Sequence, residues 1–342
     1  MRRHQPSDAL TLSIAEATEL GTRALEQLGY EPEAARITCD HLVDAACCGY
    51  PFAGLPRILE IADNPRVKEP RQPIRVVRET PVSMLIDGGN QIGYYAVYKA
   101  ACMAAEKAKK SGIAVVGLHN CALSGRNSYY LDIIARDNLV GMMFSGAGTV
   151  VAPEGGMRAR LGTNPMAFTL PSADGPYTFD MGTAAIMRGE LALRSRLGEE
   201  LPEGVAIDEQ GMLTRDPLAA LKGAILPFGG ADRHKGFGLS LTIQALGLLA
   251  GCALPHGNVS DYGHLFVVFD PELLLPAEDY KRDLSRLIKM IKETPRRPGV
   301  DEIRIPSERS RRERARTHKE GIPIDRKVYD ALKLMGAGGH AA

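Results

Sequence analysis

Three short stretches of this 342-residue chain hold almost no polar side chain: Gly112–Leu118 (GIAVVGL), Leu139–Phe144 (LVGMMF) and His264–Phe269 (HLFVVF). Apolar runs of this length, bounded by turn residues, read as buried strands. Around them the pattern changes to helical spacing. Ser13 is placed to cap a helix over Ala15–Leu28, and Pro32 opens a second that runs to about Ala46. Asn90–Lys110, Ser128–Arg136 and Gly238–Ala250 carry further helical stripes, and Ile74–Thr80 with Ser83–Asp87 reads as a hairpin. Apolar residues from Leu274 to Ile291 predict a long amphipathic helix over Pro271–Thr294. Strands alternating with helices make the expected fold class α/β.

The length suits about two domains. Forty-two basic side chains face 41 acidic ones, a net charge of +1, so no long-range field exists to hold nucleic acid. No window approaches 18 consecutive apolar residues, and the opening MRRHQPSDALTLS lacks the apolar stretch of a secretion signal. The expected location is the cytoplasm, without a membrane partner. The six cysteines fit no zinc spacing, the adjacent Cys47 and Cys48 suit reduced thiols, and the eight histidines form no HExxH, so no metal is expected.

Gly146-Ala-Gly148-Thr-Val-Val151 follows a buried strand and is half of a dinucleotide fingerprint. Val151 stands where the third small residue is needed, and Pro153 follows, so a Rossmann turn is not read here. Three other clusters say more. Leu161-Gly-Thr-Asn-Pro165 precedes Phe179-Asp-Met-Gly-Thr183. Leu226-Pro-Phe-Gly-Gly230 precedes His234-Lys-Gly-Phe-Gly238, which sets a lysine among glycines at the mouth of an apolar helix. In Ile303-Arg-Ile-Pro-Ser-Glu-Arg309 a strand-like run stops at Pro306, and Ser307 is placed to cap a helix whose first N–H groups would suit an anion. The charges that follow, to Lys319, alternate in sign and read as a solvated helix face.

Taken in order, these motifs resemble the type 2 malate/L-lactate dehydrogenase family over about residues 15–335. The resemblance implies a non-Rossmann nicotinamide-binding fold with helical flanking domains, working as a homodimer with its active site between domains. The expected division is a helical domain of residues 8–75 with 275–335 and a central cofactor and substrate domain of 76–274. It also implies cofactor contacts at Gly162, Thr163, Asn164, Asp180, Met181, Gly182, Lys235, Gly236, Pro306, Ser307 and Glu308. The cofactor is NAD or NADP, and the arginines after Pro306 lean toward NADP.

Against the family pattern Ser-His-Gly-x-x-Arg this chain reads Phe52-Ala-Gly-Leu-Pro-Arg57, keeping Gly54 and Arg57 without the proton-donating histidine. At the family's second histidine it has Leu123, and Ser145-Gly-Ala147 replaces a Thr-Asn-Ser. Two readings follow. In one, the chain reduces a small 2-oxo or cyclic 2-imino carboxylate, or runs the reverse oxidation; Arg57 holds the carboxylate, and Lys235, His119 or Tyr130 supplies a proton where one is needed. In the other, catalysis is lost and the chain binds a nucleotide or a partner.

Overall fold

The computed structural model describes residues 8–256 and 258–339. In chain order its elements are β1 (Ala9–Leu12), α1 (Ile14–Gln27), α2 (Pro32–Cys47), α3 (Arg57–Ala62), β2 (Arg75–Thr80), β3 (Ser83–Asp87), α4 (Gly93–Ser111), β4 (Ile113–His119), α5 (Asn127–Arg136) and β5 (Val140–Gly146). There follow β6 (Met166–Leu170), β7 (Tyr177–Met181), α6 (Arg188–Leu197), β8 (Ala206–Ile207), α7 (Pro217–Lys222), β9 (Ala224–Ile225), α8 (Arg233–Leu249), β10 (Gly263–Phe269), α9 (Ala277–Lys292), α10 (Glu308–Glu320), β11 (Ile322–Asp325) and α11 (Arg326–Gly336). The described residues form two compact units, those up to 70 with those from 309 onward, and those within 71–308.

In the first unit, Ser13 and Glu16 form a reciprocal capping box that starts α1, and Pro32 opens α2, as the sequence suggests. The short strands β1 and β11 pair antiparallel, from Ala9 with Asp325 to Leu12 with Ile322. Four-residue strands with mixed burial carry no pattern that sequence reading could have found. The charged α10 is anchored by a buried hydroxyl, Thr317 Oγ1, which donates to the Cys47 carbonyl at 3.1 Å.

The second unit is built on a seven-stranded sheet, ordered β2-β3-β4-β10-β5-β6-β7, in which β3 and β4 run parallel and the other neighbours antiparallel. The three apolar runs are β4, β5 and β10, side by side at the centre. One face is covered by α4 and α5. The α4 stripe of Ala96, Ala100, Ala101, Ala104, Ala105 and Ala108 lets the helix lie close on Val116, Leu118, Phe266 and Val268. Gly112, at φ 78°, closes that helix in the left-handed conformation and turns the chain into β4. The other face receives α8 through glycines. A Cβ on Gly247 would lie 3.3 Å from the Gly146 Cα, so helix and strand touch backbone to backbone. No helix among the described residues is long and apolar enough to cross a membrane.

Three boundaries differ from the expectation. The flanking unit resumes at 309 rather than 275, because α9 belongs with the sheet unit: Ala173 N donates to the Lys281 carbonyl and Asp174 N to Ser285 Oγ, both at 3.3 Å. The helix expected over Pro271–Thr294 is a short 3-10 turn followed by α9, with Pro276 at the break. The α8 helix starts at Arg233, five residues early, because Gly229 and Gly230 at positive φ lead through a 3-10 turn directly into it.

His264 is fully buried in β10 between Leu118 and Ser145, and neither ring nitrogen has a hydrogen-bond partner among the described residues. Burial pushes the imidazole down from 6.5 to about 4. Between those values the unfolded chain binds a proton that the folded one refuses. Stability is therefore full above pH 6.5 and falls as pH drops toward 4, by about 3 kcal/mol from this residue. Urea unfolding at pH 7.5 and 4.5 should show a larger acid loss for the wild type than for His264→Leu. Equal losses would mean that the ring finds a partner on protonation.

Candidate active site

One end of the sheet gathers the residues singled out by sequence. Strands β3, β4, β5 and β7 finish there and β6 and β10 begin, which puts Asp87, His119, Gly146, Met181, Met166 and Gly263 along a single edge. The loops at 120–126, 147–165 and 182–187 leave from that edge.

Asn164 ties the last two of these loops to α8. It is fully buried at φ 34°, and its Nδ2 donates to the Ser240 carbonyl at 2.9 Å and to Gln244 Oε1 at 3.0 Å, while its Oδ1 accepts from Ala147 N at 3.0 Å. The Thr183 hydroxyl donates to the Asn164 carbonyl at 3.1 Å, and Thr183 N to the Thr163 carbonyl at 2.9 Å. The resemblance cast Asn164 as a cofactor contact, yet its amide is spent inside the protein, holding the loop after β5 and the 162–165 turn to α8. The nearby glycines are explained in the same way. A Cβ would fall 2.5 Å from Asn164 Oδ1 at Gly162, 2.6 Å from Met187 Sδ at Gly182 and 2.2 Å from the Phe228 carbonyl at Gly236. Gly238 differs: a Cβ there would meet no atom within 4 Å, so the protein's own packing does not require a glycine.

Asp180, half-buried near the end of β7, meets the start of α5. Its Oδ2 accepts from Ser128 N at 2.8 Å, and Arg126 Nη2 donates to Ser128 Oγ at 2.9 Å. Burial raises the Asp180 carboxyl above the usual carboxylate range, opposed by the Ser128 N–H and the Arg126 charge. Tyr130, on the same helix, is fully buried and donates to the Ser124 carbonyl at 2.5 Å. Burial holds its phenol well above 10, so this one of the three candidate proton donors is locked inward as a neutral core residue. Leu123 takes φ 69°, a conformation that L side chains other than Asn and Asp seldom adopt. His119 lies at the sheet edge beside Gly251, where a Cβ would come within 2.7 Å of its ring.

Other expected groups are committed elsewhere. Lys235 sits in the first turn of α8 with its side chain 67% exposed, 3.4 Å from Asp232. Ser307 does not cap α10: it stands at φ 68° and donates to the Thr178 carbonyl at 2.5 Å. The Glu308 carboxylate fills that helix start instead, accepting from Ile305 N at 3.2 Å and pairing with Lys292. The arginines beyond are also engaged. Arg309 lies over the Tyr50 ring, Arg314 pairs with Asp44 at 2.7 Å, and Arg316 pairs with Glu313 and Glu320. Arg57 opens α3 and pairs with Glu60 at 2.6 Å. Among the described residues no three His, Cys, Asp or Glu side chains are placed to hold a metal ion.

Sequence reading missed Arg126, Ser128, Ser240 and Gln244. For the last two a signal existed: Ser and Gln four apart in an otherwise apolar helix share one face, and a buried polar face needs a partner.

The sequence profile of the malate/L-lactate dehydrogenase family matches residues 12–333. The chain is 34% identical to the malate/(S)-sulfolactate dehydrogenase of Methanothermus fervidus, over 95% of this chain and 96% of that one. It is 30% identical to a Delta(1)-pyrroline-2-carboxylate reductase of Burkholderia multivorans, over 97% and 99%. Its fold is similar to that of malate dehydrogenase from Pyrococcus horikoshii, with a TM-score of 0.87 at 30% identity, covering 99% of this chain and 98% of that one.

Asn164→Ala should lower the unfolding free energy by about 3 kcal/mol, since several buried groups lose their partner at once. Asn164→Asp should do the same, because a carboxylate cannot donate to Ser240 and Gln244. Urea titration checks both; wild-type stability in either variant would return Asn164 to the ligand-binding set.

Proposed function

The chain belongs to the malate/L-lactate dehydrogenase family, whose relatives named above are oxidoreductases of small carboxylates, and we propose that it reduces a cyclic 2-imino carboxylate or a 2-oxo carboxylate, or oxidises the product, with a nicotinamide dinucleotide. The observation that carries the imino preference is the inward, buried Tyr130, together with the residues at the family's two histidine positions. By the resemblance, Ala53 and Leu123 stand at the two histidine positions, and Tyr130 is buried and bonded inward. Reducing a carbonyl needs a proton delivered to the developing alkoxide, and a positioned acid is worth about 10²–10⁴-fold there. A cyclic imine arrives already protonated on nitrogen. Arg57 is proposed as the anchor for the substrate carboxylate, with His119 and Lys235 as the remaining candidates for a proton-transfer role.

The open space over Gly238 is the local fit for a flat cofactor: the backbone of the α8 first turns is bare there, and the exposed Lys235 opposes the helix dipole in a position that suits a phosphate. Lys235, Gly236, Asp180 and Met181 are the proposed contacts. The bound nicotinamide would supply or take up the hydride. Of the arginines behind the lean toward NADP, Arg309 is stacked and Arg314 and Arg316 are ion-paired within the protein, so NAD and NADP are proposed equally.

A homodimer is supported by two apolar faces of the sheet unit. Helix α8 turns Ser240, Gln244 and Gly247 inward and exposes Leu241, Leu248 and Leu249, while α9 buries none of its residues and exposes Leu287, Met290 and Ile291. The six cysteines form no disulfide, which supports a reducing, cytoplasmic location.

Loss of reduced-cofactor absorbance across a panel of carboxylates, with NADH and NADPH in turn, tests the activity. Cyclic imines should outpace their oxo analogues, and the pH profile of kcat should lack a histidine limb near pH 6–7. Efficient 2-oxo acid reduction with such a limb would overturn the imino reading, and saturable cofactor binding without turnover would favour the nucleotide-binding alternative. Sedimentation equilibrium should give twice the 36.9 kDa chain mass, and one chain mass for Leu241→Glu/Leu249→Glu. A wild-type monomer would overturn the dimer.

A further inference from the structure

Ion pairs between residues three apart are common on surface helices, where they stay wet. Arg282 and Asp279 on α9 leave 50% and 52% of their side chains in solvent. The Arg57–Glu60 pair on α3 has the same spacing but leaves only 12% and 16%. A largely desolvated pair contributes little to stability, because dehydrating both charges offsets their attraction. What it does provide is two opposite charges fixed side by side. They are fixed firmly. Ile58, Leu59 and Ile61 are buried, so α3 cannot turn, and Arg57 N donates to the Gly54 carbonyl at 3.0 Å. Gly54 in turn is pressed on α2, where a Cβ would lie 2.9 Å from the Ala46 side chain.

We propose that Glu60 is a substrate-binding residue that selects the nitrogen of the substrate: with Arg57 it reads a ligand carrying a carboxylate and a protonated imine nitrogen on neighbouring carbons. The proposal rests on the imino-carboxylate reading above and adds a residue to it. Laid along the pair, such a ligand gives each fixed charge a further partner of opposite sign, carboxylate to Arg57 and iminium N–H to Glu60. A 2-oxo acid satisfies Arg57 alone and turns a carbonyl oxygen toward the Glu60 carboxylate, acceptor against acceptor. A site built to bind an N–H discriminates against an analogue that sets an acceptor against its carboxylate instead. The carboxylate also favours the protonated imine, as an opposite charge close by favours any cation. During reduction the imine carbon gains the hydride, forming the new C–H bond. The π electrons of the C=N bond go to nitrogen and cancel its charge, the nicotinamide is oxidised, and the amine takes its proton from water on release.

The test compares kcat/KM for Delta(1)-pyrroline-2-carboxylate and for pyruvate in the wild type, Glu60→Gln and Arg57→Lys. Glutamine keeps the shape and still accepts from Arg57 but carries no charge. Glu60→Gln should lower the imine-to-oxo selectivity ratio by about 100-fold, and should weaken inhibition by L-proline relative to L-lactate in the same proportion. Arg57→Lys should depress both substrates and leave the ratio near its wild-type value. A wild type that favours the imine, with the same ratio in Glu60→Gln, overturns the role of Glu60 alone; Glu60 then only holds Arg57 in place. A wild type that favours pyruvate overturns the imino reading itself.

Discussion

The carboxamide of Asn164 has no access to water, so each of its polar atoms must be paired inside the protein. Its partners come from the backbone after β5 and from α8, and Thr183 grips the same turn from beyond β7. Four chain segments that are far apart in sequence are thereby held at one edge of the sheet. Close approach is the companion constraint. Helix α8 can lie on β5 and β10 only because Gly146, Gly247 and Gly263 carry no side chain where their backbones meet. A hydrogen-bond knot and a glycine contact together set where the edge loops begin.

The charges at this edge follow from burial. Asp180 is raised by desolvation and restrained by the first N–H groups of α5 and by Arg126, a balance that keeps a carboxylate poised beside a cation and a helix dipole. Tyr130 and His264 show what burial does without such compensation: one phenol and one imidazole remain neutral at physiological pH and belong to the core. Seen this way, Tyr130 is part of the core and is not available to donate a proton.

Much of the fold could be read directly from the residues. The β4, β5 and β10 runs are continuous and apolar because central strands are covered on both faces, and that burial leaves its mark in composition. The capping box at Ser13 and the proline at position 32 are local signals with local causes. The errors have a common cause. Ser307 looks like a cap, but tertiary packing sets it at positive φ and gives its hydroxyl to β7. Pro276 splits a helix whose apolar spacing runs on unbroken. The strands β1 and β11 are too short and too mixed in burial to show a period.

By itself the sequence determined the class of fold, the family and the place of the motifs, because periodicity, capping and motif order are written in neighbouring residues. Only the tertiary structure decided what each polar group is used for. Asn164 and Arg57 look equally free in the chain, yet one is consumed by three segments distant in sequence and the other is held against Glu60. Whether a side chain can meet a ligand depends on which partners folding has already given it, and for Asn164 those partners lie up to 80 residues away.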